Sequence, residues 1–191
     1  MRLDHIAYRV KDRYKTATFF KDTLGYTIGT EFQIEFDDNS TADCLALIPS
    51  ETRPYRTDDW ISNTTLCHEN IEQWIDEVGD EENVTLHAPP EIFVSDGPPG
   101  SIVGDWVSDR NGVGGIHHIA YQVDSVADVM KQWKEAGYAE FLSEEPMTCP
   151  GLTQVFTKPS ELTGVIYELI SREGDGFCED NVKNLMLSTI E

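Results

Sequence analysis

Basic residues are scarce in this chain of 191 residues. Its 14 lysines and arginines are outnumbered by 35 aspartates and glutamates, so the formal net charge at pH 7 is −21. A surface with this charge repels the phosphate backbone of nucleic acids and the head groups of anionic membranes. We therefore expect neither nucleic acid nor membrane among its partners. The acid excess indicates a solvated surface and does not identify a substrate.

Long apolar runs and paired cysteines are also missing. No apolar segment approaches the roughly 20 residues of a membrane-spanning helix, and the N-terminus begins with a strand pattern rather than the apolar core of a signal peptide. The four cysteines, at positions 44, 67, 149 and 178, form no CxxC pair. Neither a zinc knuckle nor a redox pair is therefore indicated. We expect reduced thiols and a cytoplasmic protein.

What the chain does contain is an internal repeat. Leu3–Val10 reads LDHIAYRV, and Ile116–Val123 reads IHHIAYQV. Each copy runs into a helical pattern that ends in a Gly-Tyr pair, at Gly25 and again at Gly137. A string and a spacing that recur together indicate duplication, so we expect two equivalent modules.

Hydrophobic periodicity predicts the same βαβββ order in both modules, which is an α+β fold. In the first module, the strands are expected at 2–10, 26–36, 42–48 and 91–94, with the helix at 14–24. In the second module, they are expected at 116–123, 138–142, 153–157 and 164–170, with the helix at 124–137.

The two modules are expected to form one domain over 1–191. Module one spans 1–100 and includes an insertion at 50–90, where Ile71, Trp74, Ile75 and Val78 predict an amphipathic helix. A helix around 102–107 leads to module two, at 113–170. A C-terminal helix lies within 176–191.

The two histidines at repeat-equivalent positions point to a metal. Alternate residues of a strand share a face, so His5 and His118 are each expected beside a small alanine on the same side of the sheet. By the same alternation, His117 is expected to face the helix side in a structural role. One strand histidine is usually a hydrogen-bonded core residue, but two equivalent ones favour a shared metal.

Glu168 is the third candidate, because it is the one charge in the apolar run Val165–Ile170. A carboxylate in such a strand is costly to bury unless it pairs with a cation. Arg172 is near enough to be that cation. With His5 and His118, however, Glu168 completes the 2-His-1-carboxylate set that leaves open positions on Fe(II).

The repeat with its His-Ile-Ala strings resembles the vicinal oxygen chelate superfamily, which includes the glyoxalases and dihydroxybiphenyl dioxygenases. Three later segments, TQVFTKP from Thr153, YELISR from Tyr167 and GFCEDNVK from Gly176, resemble the C-terminal, iron-binding half of 4-hydroxyphenylpyruvate dioxygenase and 4-hydroxymandelate synthase. The resemblance implies two βαβββ modules that form an open, barrel-like sheet around a metal. It is specific over about residues 113–190.

The resemblance also implies the roles of individual residues. His5, His118 and Glu168 would bind Fe(II), a 2-oxo acid would chelate that iron, and dioxygen would be the second substrate. The substrate would contact four further residues, Gln154, Phe156, Phe177 and Asn181. For Phe177 and Asn181, packing of the last helix is the alternative explanation.

Three departures from the family pattern concern the substrate. Cys178 and Val182 replace a glycine and a phenylalanine of the final family motif, and Ser95-Asp96-Gly97 replaces an Asn-Glu-Pro that supplies a substrate-contacting amide. The family's iron-free N-terminal half has no counterpart here. Iron is therefore better supported than a hydroxyphenyl substrate, and the pocket could suit another 2-oxo acid.

Two other classes remain open. Glyoxalase I and methylmalonyl-CoA epimerase are similar but have a fourth ligand on the strand that Glu91 begins, so Glu91 is a candidate ligand for Co, Ni, Mn or Zn. Against this isomerase alternative, the epimerases' catalytic glutamate falls near Cys44 in this chain. The third class is a metal-free binding protein of the bleomycin-resistance type. His68 and His87 are expected at the surface, and a homodimer is a candidate assembly.

Overall fold

The computed structural model describes residues 1–49, 53–56, 84–87, 90–172 and 178–189. The chain divides into two compact units. One unit joins Met1–Ile48 to Pro90–Glu191, and the other is Pro49–Pro89. The helix predicted around Trp74, and His68, lie outside the described residues.

The described elements of the larger unit alternate between strands and helices. In chain order they are β1 (Arg2–Arg9), α1 (Arg13–Leu24), β2 (Thr27–Glu35), β3 (Thr41–Ile48), β6 (Glu91–Asp96), α2 (Ile102–Asp109), β7 (Gly115–Gln122), α3 (Val126–Ala136), β8 (Met147–Cys149), β9 (Leu152–Phe156), β10 (Ile166–Arg172) and α4 (Glu179–Ser188). The smaller unit contributes an antiparallel pair, β4 (Arg53–Arg56) and β5 (Val84–His87).

The larger unit is built on one mixed sheet of eight strands, in the order β2-β3-β6-β1-β7-β10-β9-β8. The first strands of the two repeats, β1 and β7, pair antiparallel at its centre. The last strand of each repeat is parallel to the first, β6 to β1 and β10 to β7. The predicted α+β fold of two paired βαβββ modules is confirmed.

The repeat is also visible in the helix that follows each central strand. Asp12 caps the N-terminus of α1 and Ser125 caps that of α3. In each case the side chain accepts a hydrogen bond from the backbone N–H of the third residue of the helix. Gly25 and Gly137 end the two helices with φ of 75° and 69°, a left-handed conformation that favours glycine.

The two faces of the sheet are covered differently. Helices α1 and α3 pack on one face, where each repeat has its own apolar cluster. Helix α4 lies against the other face, where Val182 and Met186 pack with Ala7 and Phe93. The face that carries the predicted metal ligands is therefore buried beneath the last helix.

One predicted strand is displaced. In place of a strand at 138–142, the structure has a single bridge between Phe141 and Thr157, and the edge strand is β8. Leu142 N–H still donates to the carbonyl of Phe156, but the chain bends at 142–145 and Pro146 has no N–H to donate, so regular pairing begins only at Met147.

Helix α2 follows the expectation for residues around 102–107, with Ser101 as its N-cap. None of the helices in the described ranges combines the length and apolar character that crossing a bilayer requires.

Candidate metal centre

Three predicted ligands meet on the face beneath α4. The Nε2 atoms of His5 and His118 lie 3.1 Å apart, and Oε2 of Glu168 lies 3.3 Å from the first and 3.1 Å from the second. The side chains come from β1, β7 and β10, three adjacent strands. All three residues are buried, with at most 9% of their surface exposed.

This geometry fits a metal ion. Three atoms that each lie about 2.1 Å from one ion, at right angles to one another, would be about 3.0 Å apart. The observed separations of 3.1 to 3.3 Å are close to that value. The donor set of two imidazoles and one carboxylate suits Fe(II) and other divalent transition metals.

Each ligand histidine is held by the residue before it. Asp4 Oδ1 lies 2.8 Å from Nδ1 of His5, and His117 Nδ1 lies 2.9 Å from Nδ1 of His118. Asp4 and His117 occupy the same place in the repeat. Contacts at Nδ1 fix the ring orientation and leave Nε2 as the atom for a metal.

Bulges in the central strands explain why neighbours share a face. Where β1 pairs with β7, β1 has one extra residue between Leu3 and Ile6. Strand β7 has one extra residue, His117, between Ile116 and His118. A bulge locally breaks the alternation of side chains. The prediction that His117 faces the helix side is therefore wrong, because this residue lines the pocket with His118 and contacts the ring of Phe156.

Charge within the cluster is unevenly divided. Burial alone would lower the pKa of His5, but the charge of Glu168 and the hydrogen bond that His5 Nδ1 donates to Asp4 raise it to about 9. Burial would raise the pKa of Glu168, but the charge of His5 and the hydrogen bond with His118 lower it to about 2. The pKa of His118 is lowered, chiefly by burial. Without a metal, His5 is the imidazolium that balances the carboxylate.

Metal binding is accordingly expected to release a proton. A metal ion binds neutral imidazole, so the proton that His5 holds at pH 7 must leave. The apparent affinity for the metal should therefore rise about tenfold per pH unit and level off near pH 9, the pKa of His5. Calorimetric titration with Zn²⁺ in buffers of different ionisation enthalpy measures this release. Release of close to one proton at pH 7 is expected, and an affinity independent of pH from 6 to 8 would contradict the assignment.

Glu91, the candidate fourth ligand, does not join the cluster. Its carboxylate lies 3.1 Å from Nη2 of Arg172, which also lies 3.2 Å from Oδ1 of Asp4. Glu91 pairs with His5 in the register of β1 and β6, whereas Phe93 pairs with Ala7. In the second repeat, Glu168 pairs with Ala120. The repeat-equivalent of Glu168 is therefore Phe93.

The predicted substrate-contacting residues lie around the same pocket as far as they are described. Gln154 and Phe156 line it, and the Phe156 ring lies 4.7 Å from that of His118. Asn181 is buried on α4, and among the described residues the side-chain nitrogens of Gln154 and Asn181 have no hydrogen-bond partner. Phe177 lies outside the described residues. Substrate contact by all four remains a prediction.

Sequence reasoning missed two inward-facing residues of this pocket. Arg9 follows Ala7 by two positions and His5 by four, so the alternation of side chains along β1 predicts that all three face the same side, as they do. Phe93 could be recognised as the counterpart of Glu168 only after the register of β1 and β6 was known. The pocket is otherwise largely apolar, with Val182, Leu185 and Met186 of α4 on one side.

Comparison with known proteins relates this arrangement to one superfamily. A family model described as Glyoxalase/Bleomycin resistance protein/Dioxygenase superfamily matches residues 4–149. An ethylmalonyl-CoA/methylmalonyl-CoA epimerase from Cereibacter sphaeroides is 27% identical over 169 residues, which are 88% of this chain and 96% of that protein.

Two solved structures show the same fold. A methylmalonyl-CoA epimerase is 19% identical with a TM-score of 0.59, over 91% of this chain and 97% of that one. A mutant of 4-hydroxymandelate synthase from Streptomyces coelicolor is 17% identical with a TM-score of 0.66, over 98% of this chain and 52% of that one. With its duplicated modules and the family match over most of its length, this chain belongs to the glyoxalase/bleomycin resistance protein/dioxygenase superfamily, also called the vicinal oxygen chelate superfamily.

Proposed function

We propose that this chain is a metal-dependent enzyme that binds a small substrate through two neighbouring oxygen atoms. The observation that supports it most directly is the convergence of His5, His118 and Glu168 within 3.3 Å of one another. Three protein ligands leave positions open on a divalent metal. When bound there, the metal would act as a Lewis acid that polarises the substrate oxygens.

The residues around the ligands would orient the substrate and exclude water. Asp4 and His117 hold the two imidazoles at Nδ1, so their Nε2 atoms keep one direction. Phe156 and the apolar residues of α4 form a dry wall. The side-chain N–H groups of Gln154 and Asn181 have no hydrogen-bond partner among the described residues. A buried N–H without a partner is costly, so a substrate oxygen that accepts a hydrogen bond from either group would remove that cost.

The first candidate reaction is proton transfer beside a carbonyl, as in the isomerases of this superfamily. Support comes from the relative in Cereibacter sphaeroides, whose name describes an epimerase and which matches 88% of this chain. The comparisons favour this isomerase class over the dioxygenase class that the tail motifs indicate. The substrate would then be an acyl-CoA thioester with a second carbonyl oxygen.

The second candidate is a 2-oxo-acid-dependent dioxygenase with Fe(II), and two features of the site favour it. Phe93 takes the repeat position of a fourth ligand, so the metal would keep more open positions. The described pocket lining also offers few groups that could act as a base for proton transfer. Glu168, the proposed ligand, is its one carboxylate, and burial holds the pKa of His117 well below its usual value. At the third-strand position, burial raises the pKa of the Cys44 thiol, which stays neutral.

One paired experiment separates the candidates. Protein loaded anaerobically with Fe(II) would be given 2-oxo acids, and oxygen uptake and CO2 release recorded. Protein loaded with Co(II) would be given methylmalonyl-CoA in D2O, and deuterium at C2 measured by NMR. His118→Ala is the control in both arms.

Oxygen uptake coupled to CO2 release and lost in His118→Ala would establish the dioxygenase. Deuterium incorporation lost in the same control would establish the isomerase. If His118→Ala binds metal as tightly as the unaltered chain, the proposed metal enzyme is wrong in either form.

A further inference from the structure

Arg9 is a buried cation in the wall of the metal pocket. It is the third inward residue of β1 after His5 and Ala7, and only 3% of its surface is exposed. Arg9 is four positions along β1 from His5, about 13 Å between the Cα atoms, and two positions from Ala7, which pairs with His118. Arg9 is therefore offset along β1 from the metal ligands, and its charge is still near enough to help lower the pKa of His118.

The surroundings of Arg9 supply no negative charge among the described residues. Nη2 donates to Oγ1 of Thr189 at 3.1 Å, and the guanidinium lies 5.8 Å from the centre of the Trp106 ring. The guanidinium of Arg110 lies 3.6 Å from the centre of the same Trp106 ring, so a second cation is close by. Burial, and then the charge of Arg110, lower the pKa of Arg9 to about 10.

Other arginines of this unit show what a paired guanidinium looks like here. Arg13 has Asp96 and Glu31 within 3.2 Å, and Arg172 has Asp4 and Glu91 within 3.2 Å. Acidic side chains are abundant in this chain, with 35 in total. An unpaired buried charge is expensive, so a site that retains one is suited to an anionic ligand.

We infer that Arg9 binds a carboxylate of the substrate, in the same pocket as the metal ligands and offset from them along β1. The substrate class is then a dianion, in which two neighbouring oxygens meet the metal and a second, remote carboxylate meets the guanidinium. Because the first half of that description is metal chelation, the inference rests on the proposed function. A substrate with an apolar tail in place of the remote carboxylate is therefore expected to bind more weakly than the dianion.

The two unpartnered amides agree with a polar ligand. Gln154 lines the same pocket, and its side-chain nitrogen is buried without a hydrogen-bond partner among the described residues. A guanidinium without a carboxylate partner and an amide N–H without an acceptor, in one largely apolar pocket, match a ligand with several oxygens. An apolar ligand would leave that amide without an acceptor and the charge of Arg9 without a counter-ion.

The internal repeat supplies the variant for a test. Gln122 occupies the position of Arg9 in the second module, so Arg9→Gln places in β1 a residue that β7 already carries. Arg9→Lys keeps the charge but loses the planar fork that matches a carboxylate. Arg2→Gln, at an exposed position of the same strand, controls for the change in net charge.

Binding would be measured on anaerobic Co(II)-loaded protein by visible absorption, with two pairs of ligands of equal length. The pairs are 2-oxoglutarate with 2-oxopentanoate and 2-oxoadipate with 2-oxohexanoate, which differ in the terminal carboxylate. A second readout is the Arg9 Nε–Hε NMR signal of Zn(II)-loaded protein, titrated with glutarate and with butyrate.

We expect at least one dianion to bind about tenfold tighter than its partner or better. That preference should vanish in Arg9→Gln, persist in part in Arg9→Lys and be unchanged in Arg2→Gln. A preference that is absent, or that survives in Arg9→Gln, would overturn the inference and leave the metal enzyme intact. If the Co(II) spectrum ignores every ligand while glutarate shifts the Arg9 signal, the chelation proposal falls and the carboxylate site stands. If neither responds, both fall.

Discussion

Glu168→Gln is expected to weaken metal binding by at least about a hundredfold. Loss of a residue that only contacts a metal ligand typically costs about tenfold to a hundredfold, and Glu168 is predicted to be a ligand itself. Glutamine keeps the shape of the side chain and removes the one negative charge that touches both imidazoles. The measurement is a competitive titration of Zn²⁺ against a chelator of known affinity. Glu135→Gln, an exposed change on α3, is the charge-matched control and should leave the affinity unchanged.

The same substitution should destabilise the metal-free protein, by less than the roughly 3–5 kcal/mol of a fully unpaired buried charge, because it removes one of the two carboxylates beside His5 and leaves Asp4 in place. The depressed pKa of Glu168, about 2, contributes stability above pH 4.5 that is lost as the pH falls towards 2. The raised pKa of His5, about 9, contributes stability below pH 6.5 that is lost as the pH rises through 9. Denaturant unfolding should show the largest loss between about pH 4.5 and 6.5. A loss that grows from pH 7 to pH 9 would contradict the pairing.

Phe93→Glu should convert the centre from three protein ligands to four. Phe93 is the repeat-equivalent of Glu168, so a carboxylate there would approach the same point from the opposite strand. Without metal, the new buried charge should cost about 3–5 kcal/mol of unfolding free energy. With metal, part of that cost should be recovered, so the increase in melting temperature on adding Co²⁺ should be larger than in the unaltered chain.

Phe93→Ala is the matched control for this result. It removes the same ring and should cost a similar 3–5 kcal/mol through the cavity that it leaves, but it offers no ligand and should gain no extra stability from metal. Equal melting shifts for Phe93→Glu and Phe93→Ala would show that position 93 does not face the metal. Four-ligand binding should also weaken chelation of a 2-oxo acid, because one open position is filled.

The sequence was sufficient to predict that His5, His118 and Glu168 come together, because each depends on a simple rule. The repeat identified His5 and His118 as equivalent, and Glu168 was an isolated charge in an apolar strand. The order of elements in each module followed from periodicity and from the glycines that end the helices. These features are local, so a pattern along the chain records them.

Other features depend on how strands pair, which no local pattern records. The alternation rule failed at His117 because a bulge in β7 turns it towards the pocket. The role of Glu91 was open until the register placed it beside Arg172 rather than the imidazoles. The bend at 142–145 moves the second strand of module two from its predicted place to β8.

The two repeats have diverged around a shared scaffold, and that divergence gives the pocket its direction. Asp4 and His117 hold the two ligand histidines from the same repeat position, one as a carboxylate and one as an imidazole. Phe93 and Glu168 occupy equivalent positions, and of the two only the residue of the second module offers a carboxylate to the predicted metal site. Arg9 and Gln122 also occupy equivalent positions, so the first module has a cation where the second has a neutral amide.

X-ray absorption at the metal edge, on protein loaded with one equivalent of Co²⁺, would show whether His5, His118 and Glu168 hold a metal ion. We expect a single site whose nearest shell contains two imidazole nitrogens and one protein carboxylate, with solvent in the remaining positions. Loss of the imidazole scattering in His118→Ala should accompany loss of tight binding. A shell without histidine, or an unchanged spectrum in His118→Ala, would contradict a metal centre at His5, His118 and Glu168.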